Sequence, residues 1–176
     1  MRVIGLDPGL RRTGWGIIEA EANRLRHVAN GAVESDAARD VATRLMQIHE
    51  GLAEVVAGFA PEEAAIEVTL ANRNPVSTLK LGMARGTALL TVALAHVPVA
   101  EYLPTMVKRA VVGTGRAGKG QVAMMVGQLL PGSGAASTDA ADALAVAICH
   151  AHTASSRRRW VAADPAGTVP LQGGRP

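Results

Sequence analysis

The sequence is poor in cysteine, in aromatic residues and in long apolar runs, and each shortage excludes a class of protein. A single cysteine, Cys149, rules out an intramolecular disulfide framework and favours a reducing compartment. Aromatic residues make up 2% of the chain, which argues against a domain that stacks many bases on exposed rings. No apolar run reaches the roughly 18 residues of a membrane span, and the N-terminus lacks the layout of a signal peptide. We therefore expect a cytoplasmic protein without membrane contact.

Acidic residues also become scarce in the second half of the chain. Residues 1–67 contain 7 Lys or Arg and 11 Asp or Glu, whereas residues 68–138 contain 7 basic residues and one acid, Glu101. Such asymmetry indicates a polyanionic partner, although a solvated basic surface would give the same count.

The composition suits one globular domain, because 48% of the 176 residues are hydrophobic and 19% are charged. We expect this domain to span residues 1–154. Residues 155–176 contain three consecutive arginines and then Pro and Gly without periodicity. They are predicted to form a largely disordered basic tail that could add a phosphate contact.

The spacing of apolar residues predicts alternating strands and helices. Strands are predicted over residues 3–6, 14–20, 24–33, 64–68 and 97–102. Helices are predicted over residues 36–57, 75–95, 104–112, 121–130 and 138–151. The first three strands suggest an antiparallel meander. The whole order predicts an α/β fold with one mixed five-stranded sheet and helices on both faces, which fits a ribonuclease H-like fold.

The second predicted helix has the start signals of a helix and an unusual number of small residues. Asn74 is a good N-cap and Pro75 suits the first helical position. The small residues are Gly82, Ala84, Gly86 and Ala88. They allow another backbone to approach closely, either the sheet of the same chain or a second subunit.

Four acids occur in otherwise apolar surroundings. Asp7 ends the first strand before a Pro-Gly turn, and Glu67 interrupts the fourth strand. Asp139 and Asp142 lie three residues apart, hence on one face of the last helix. Buried carboxylates are costly unless a positive partner compensates them, so we expect the four to share a metal ion. Asp7 could instead cap the turn, and the helical pair could match the positive end of the helix. The helix alternative leaves Asp7 and Glu67 unexplained.

Such a cluster is typical of phosphodiester hydrolysis with one or two Mg²⁺ ions. Magnesium prefers oxygen ligands and keeps several waters. Two ions roughly 4 Å apart can activate water and stabilise the leaving oxygen. The chain has no Cys and His spacing of a zinc site. His150 and His152, at the end of the last helix, are predicted to be satisfied or exposed rather than catalytic.

Several segments resemble, in order and with consistent spacing, the RuvC family of bacterial crossover-junction endodeoxyribonucleases. The segments are residues 4–9 (IGLDPG), 13–16 (TGWG), 65–67 (AIE), 77–86 (STLKLGMARG), 107–108 (VK), 111–113 (VVG) and 139–145 (DAADALA). The resemblance covers residues 2 to 153. It implies a homodimer of ribonuclease H-like fold that nicks two strands of a four-way Holliday junction symmetrically. It also implies Mg²⁺, with Mn²⁺ able to substitute, and a RuvA–RuvB branch-migration complex as partner.

The resemblance assigns the catalytic and metal-binding roles to Asp7, Glu67, Asp139 and Asp142, the same acids that stand out on physical grounds. The predicted DNA contacts are Leu70, Arg73, Lys80, Arg85, Lys108 and Lys119. Leu70 is a departure, since the family usually carries an aromatic residue there that wedges against bases at the junction centre. Leucine can wedge between base steps but cannot stack as a ring does.

Three other functions compete with this interpretation. A YqgF-type nuclease shares the strand-Asp-Pro-Gly start, but the Asp-Ala-Ala-Asp helix together with Lys108 and Lys119 favours RuvC. An actin-like ATPase needs two such domains, for which 176 residues are too few. A junction-binding scaffold without catalysis is disfavoured because all four acids are present.

Overall fold

A computed structural model of the chain describes residues 1–22, 24–68, 74–134 and 137–163. The strands are β1 (Arg2–Asp7), β2 (Arg12–Glu21), β3 (Arg24–Glu34), β4 (Glu63–Glu67) and β5 (Val99–Tyr102). The helices are α1 (Val41–Phe59), α2 (Pro75–Leu94), α3 (Pro104–Val112), α4 (Lys119–Leu129) and α5 (Thr138–Ala163).

The strands form one mixed sheet in the order β3-β2-β1-β4-β5. Strands β1 to β3 are an antiparallel meander, and β4 and β5 extend the sheet in parallel with β1. β1 lies at the centre because its residues Val3 to Leu6 are apolar or small and can be buried on both faces. This confirms the predicted α/β fold with a ribonuclease H-like mixed five-stranded sheet.

Helices cover both faces of the sheet, as predicted. α1 and α2 pack against one face, where they bury Ile48, Leu52 and Val92 with Ile4 and Leu6 of β1. α3, α4 and α5 cover the other face. Their buried side chains there include Val107, Val111, Val122, Val126, Leu144 and Ile148. Full burial of one such aliphatic side chain contributes about 1.5–3 kcal/mol, so each face has its own stabilising core.

α5 lies unusually close to β1 and β2 because glycines face it. A Cβ atom at Gly5 would lie 2.1 Å from the carbonyl oxygen of Ala143, and one at Gly14 would lie 2.1 Å from that of Asp139. Both distances are far inside van der Waals contact, so a side chain at either position is incompatible with this packing. The glycines therefore set how near the start of α5 comes to the end of β1.

α2 begins as the sequence predicts, and its small residues lie on two different faces of the helix. The Asn74 side chain accepts hydrogen bonds from the backbone N–H groups of Val76 and Ser77. Ala84 and Ala88 are fully buried against the sheet of the same chain. A Cβ at Gly82 or Gly86 would meet nothing within 4 Å. The sequence left open whether these small residues pack against the sheet or a second subunit. The alanines pack inward on the sheet, whereas the glycines face outward.

α1 begins later than predicted, at Val41 instead of residue 36. The Asp40 carboxylate accepts a hydrogen bond from the backbone N–H of Thr43, which makes Asp40 the N-cap. The side chain of Asp36 accepts from the N–H of Ala38 and so stabilises a turn before the helix. Two acidic residues could serve as caps, and periodicity alone did not separate them.

α5 ends later than predicted, at Ala163 instead of residue 151. Residues 155–163, expected to begin a disordered tail, are therefore helical. The segment contains Arg and Ala, which are good helix formers, and the first proline after it is Pro165. Residues 164–176 of the predicted tail lie outside the described residues.

Among the described residues, no helix combines the length and the apolar character that crossing a membrane requires.

Candidate active site

Two of the predicted acids lie side by side at one edge of the sheet. Asp7 is the last residue of β1 and Glu67 is the last residue of β4. The two strands run parallel, with Leu6 opposite Ile66, so their carboxyl ends coincide. The sequence predicts Asp7 at the end of its strand and Glu67 within its strand, and the parallel register is what makes the two acids neighbours.

The other two acids come from the start of α5. The hydroxyl of Ser137 accepts a hydrogen bond from the backbone N–H of Ala140 and helps to begin the helix. Asp139 lies in the first turn, where the helix dipole favours a negative charge. The backbone of Asp139 lies directly over Gly14, the residue that pairs with Asp7 across β1 and β2. The structure therefore gathers all four acids at this edge of the sheet.

The environment raises the pKa of Asp7 to about 7, from an ordinary value of 3.8. Burial is the largest cause, followed by repulsion from the carboxylates of Asp142, Glu67 and Asp139, while Lys119 opposes the rise. The pKa of Glu67 is raised too, first by burial and then by Asp142. Uncompensated negative charge thus concentrates at Asp7 and Glu67, and a cation bound there would lower both pKa values.

Two basic side chains already contact the acids of α5. The Nζ of Lys119 lies 3.1 Å from Oδ2 of Asp142, and this bond raises the pKa of the lysine. Nη1 of Arg12 lies 3.6 Å from Oδ2 of Asp139. Lys119 is the first residue of α4, where the helix dipole disfavours a positive charge. Attraction to Asp142 and the neighbouring carboxylates therefore explains why a lysine occupies this position.

The acids open into a small cavity of about 220 Å³. Asp7, Glu67 and Asp142 line it, together with Lys108 and Lys119. Its apolar wall consists of Pro104, Val107, Val122 and Ala145. Asp139 is not among the lining residues. The cavity is thus acidic at its base and has two lysines around it, which suits a phosphate held next to a metal.

The chemistry of the donors fits Mg²⁺, because carboxylate oxygens are the protein ligands it prefers and their mutual repulsion calls for a cation. In the described parts of the chain, no three His, Cys, Asp or Glu side chains are grouped closely enough to hold a metal ion. Two of the four carboxylates are paired with cations instead, Asp142 with Lys119 and Asp139 with Arg12. Metal binding would therefore require these side chains to exchange partners.

The predicted DNA contacts fall in three different settings. Lys108 and Lys119 border the cavity, and Lys80 is exposed on α2. Arg85 is engaged inside the protein: its guanidinium pairs with Glu101 and donates a hydrogen bond to the carbonyl oxygen of Glu67, at 3.4 Å. These contacts indicate that Arg85 supports the end of β4, and its contact with DNA stays a prediction. Leu70 and Arg73 lie outside the described residues.

The two histidines of α5 lie away from the four acids. His150 is buried, with Nδ1 at 2.9 Å from the hydroxyl of Tyr102 and Nε2 at 2.6 Å from the carboxylate of Glu63. Glu63 is at the opposite end of β4 from Glu67. His152 is exposed. His150 therefore joins α5 to β4 and β5 as a satisfied core histidine, as the sequence predicts.

Sequence reasoning assigned no role to Arg12 or to Glu34. Both belong to the β2–β3 hairpin, where they face each other as direct cross-strand partners and form an ion pair. Arg12 precedes Gly14 by two residues and so shares its face of the sheet, the face that α5 covers. This alternation was visible in the sequence, but the partner on α5 was not.

The family model described as "Crossover junction endodeoxyribonuclease RuvC" matches residues 3–150 of this chain. A protein of that name from Paramagnetospirillum magneticum is 60% identical over 159 residues, which is 90% of this chain and 96% of that protein. Another from Rhodospirillum rubrum is 59% identical over 152 residues, covering 86% of this chain and 90% of that protein.

Solved structures are also similar to this chain over most of its length. T. thermophilus RuvC in complex with a Holliday junction substrate is 34% identical with a TM-score of 0.83, and covers 89% of this chain and 96% of that one. The yeast mitochondrial Holliday junction resolvase Ydc2 is 13% identical with a TM-score of 0.63, and covers 90% of this chain and 82% of that one. At that identity the second likeness concerns the fold alone.

Proposed function

This chain belongs to the RuvC family of crossover junction endodeoxyribonucleases, and on that premise we propose that it resolves four-way Holliday junctions. The finer proposal is a homodimer that makes paired symmetric nicks with Mg²⁺ or Mn²⁺, acting beside a RuvA–RuvB complex in the cytoplasm. The observation that carries the chemistry is the edge of the sheet where Asp7, Glu67, Asp139 and Asp142 gather next to Lys108 and Lys119.

The four acids are the proposed ligands of one or two ions. When bound, the metal would supply a Lewis acid that activates a water and stabilises the leaving oxygen of the phosphodiester. Burial around Asp7 and Glu67 limits competing water, which strengthens electrostatic interactions in the cavity. Because a protonated carboxyl group is a poor ligand, metal affinity should rise as the pH increases through about 7, where Asp7 loses its proton.

The two lysines at the cavity are the proposed phosphate contacts. Lys119 is largely exposed, with 77% of its side chain accessible, so a DNA strand can reach it without rearrangement of the fold. A phosphate bound there would replace Asp142 as the partner of Lys119 and leave that carboxylate free to bind a metal. DNA binding and metal binding would thus support each other at this residue.

Lys119→Ala is expected to weaken junction binding by roughly three- to tenfold and to reduce the slope of log affinity against log salt by about one, as for loss of one phosphate contact. Fluorescence anisotropy at several salt concentrations measures both quantities. Arg24→Ala is the matched control, since Arg24 is exposed at the far end of the β2–β3 hairpin. An unchanged salt slope for the Lys119 variant would remove this residue from the DNA-binding surface.

The outer face of α2 supports the proposed homodimer. An apolar stripe runs along the whole helix, with side chains exposed by 38–62%. Its members are Val76, Leu79, Met83, Leu90 and Leu94. Gly86 occupies the position between Met83 and Leu90 on this face, and a Cβ there would meet nothing within 4 Å. The steps of three and four residues are those of a helix that packs against another helix. A second copy using the same face would give a two-fold dimer with two equivalent sites for two equivalent strands.

Leu90→Glu is expected to convert the dimer into a monomer, because it would bury a charge within the stripe. Light scattering after size exclusion should show the mass falling from two chains to one. Met124→Glu is the control, since Met124 is equally exposed but belongs to α4 on the other side of the sheet. A wild-type protein with the mass of one chain, or a dimeric Leu90 variant, contradicts the assignment of the interface.

The function as a whole is tested with a labelled four-way junction and a duplex of the same sequence, each incubated with protein and Mg²⁺. We expect symmetric cuts in two strands of the junction and little cutting of the duplex. Equal cutting of both substrates contradicts junction selectivity. Tight binding without cutting in Mg²⁺ or Mn²⁺ would instead identify a junction-binding scaffold.

A further inference from the structure

The proposed function gives no role to Arg12, which contacts one of the four acids. Its Nη2 pairs with the carboxylate of Glu34, and its Nη1 lies 3.6 Å from Oδ2 of Asp139. Arg12 and Glu34 face each other across β2 and β3. The guanidinium is therefore tethered on one side by the hairpin and presents its other nitrogen to a predicted metal ligand.

The backbone determines where this guanidinium sits. Gly14 follows Arg12 by two residues, and the backbone of Asp139 lies directly over Gly14. Asp7 is across from Gly14 on β1. From its position at the start of α5, the Asp139 side chain lies between two sites. One is the arginine at the beginning of β2, and the other is the acid-lined cavity at the end of β1. In the structure its carboxylate is paired with the arginine and does not line the cavity.

We propose that Arg12, tethered by Glu34, is a positioning residue that holds the Asp139 carboxylate outside the cavity and competes with a divalent cation for it. The inference rests on the proposed metal site. It accounts for the finding that no three acidic side chains in the described residues are grouped as metal ligands. It also gives Glu34 a role, because this carboxylate receives the guanidinium when Asp139 turns towards the metal.

Lys119 and Arg12 differ in how they release their acids. The Lys119 side chain is exposed, so a DNA phosphate can replace Asp142 as its partner. Arg12 has a second carboxylate within the protein, so its release of Asp139 needs no DNA. The Arg12 pair should therefore act on metal binding even when no junction is present.

This arrangement predicts opposite effects for the two members of the ion pair. Arg12→Gln removes the competing charge and frees Asp139, so the affinity for Mn²⁺ should increase by about two- to fivefold, the range of a partly exposed ion pair. Glu34→Gln removes the tether but leaves the charge, so Arg12 should pair more fully with Asp139 and Mn²⁺ affinity should decrease by a similar factor. Arg12→Lys keeps the charge and should stay closer to wild type than Arg12→Gln.

The test is a titration of the full chain with Mn²⁺ at low salt without DNA, in which electron paramagnetic resonance counts the free ion. Arg26→Gln is the matched control, because Arg26 pairs with Glu19 across the same two strands at the far end of the hairpin. Its affinity should equal that of wild type. An increase in Mn²⁺ affinity for Arg12→Gln together with a decrease for Glu34→Gln supports the proposal, whereas any other combination, including no shift, overturns it.

Two further measurements separate the proposal from its premise. Asp7→Asn should lose most Mn²⁺ binding, and if it binds Mn²⁺ as wild type does, the metal site itself is wrong and the role of Arg12 falls with it. Junction affinity of Arg12→Gln, measured in EDTA, should stay within twofold of wild type. A marked loss with a salt slope lower by about one would make Arg12 a phosphate contact and overturn the positioning role while the proposed function stands.

Discussion

Replacing Asp7 with asparagine is expected to reduce junction cleavage by roughly a thousandfold or more, which corresponds to about 4 kcal/mol of barrier, and to leave junction binding intact. Asparagine keeps the shape of the side chain but removes the charge that would hold the metal. The ion pair of Lys119 is with Asp142 and not with Asp7, and removing a negative charge next to the DNA should slightly favour binding. Cleavage is measured under single-turnover conditions and binding in EDTA.

The same substitution should stabilise the metal-free fold. Because the pKa of Asp7 is raised in the folded state, the folded protein holds this proton more tightly than the unfolded chain does. The contribution of Asp7 to stability is therefore most favourable below the ordinary value of 3.8, is lost as the pH rises towards about 7, and then stays constant. The shift from 3.8 to about 7 corresponds to at most about 4 kcal/mol, or a Tm gain of roughly 5–10 °C for the asparagine variant at pH 8.

Thermal unfolding at pH 5 and pH 8 in EDTA checks the sign. The gap between the variant and wild type should be smaller at pH 5, which is only about one unit above the ordinary pKa of Asp7, and larger at pH 8, above its raised pKa. Glu21→Gln serves as control, since Glu21 is an exposed acid at the far end of β2. A variant that cuts junctions at the wild-type rate, or a gap that narrows with rising pH, contradicts the assignment of Asp7.

Gly5→Ala is expected to destabilise the fold strongly. The new Cβ would lie 2.1 Å from the carbonyl oxygen of Ala143 and 2.7 Å from the backbone nitrogen of Ala147. Both contacts are with backbone atoms of α5, so no side chain can rotate away. The helix must move off the sheet, at a cost of about 3 kcal/mol or more.

The displacement should also affect chemistry, because the turns that carry Asp139 and Asp142 immediately precede the contact at Ala143. We expect a lower denaturant midpoint together with a loss of cleavage that persists at temperatures where the variant is still folded. Gly58→Ala is the control, since Gly58 is in α1 and a Cβ there meets nothing within 4 Å. That variant should be stabilised by about 0.5–1 kcal/mol. A Gly5 variant as stable as wild type would show that α5 does not pack on β1 in this way.

The apolar pattern of the chain was sufficient to predict the sheet, its helices and the four acids. β1 is an uninterrupted run of apolar and small residues followed by Asp7, and a charge in that position has few physical explanations. In the described parts of the chain, the predicted elements differ from the structure at their ends, such as the start of α1, where Asp36 and Asp40 are equally good capping residues, and the end of α5, which extends beyond residue 151 to Ala163.

The contacts between the acids and their cations could not be predicted in the same way, because they depend on residues distant in sequence that only packing brings together. The local sequence places Asp7 and Glu67 in apolar strands and Asp139 and Asp142 near the start of a helix. The parallel register of β1 and β4 and the close approach of α5 over Gly14 decide that they meet. The tertiary structure alone decides that Asp142 pairs with Lys119 and Asp139 with Arg12. The energy of an ion pair depends on distance in space and leaves no periodic signal in the sequence.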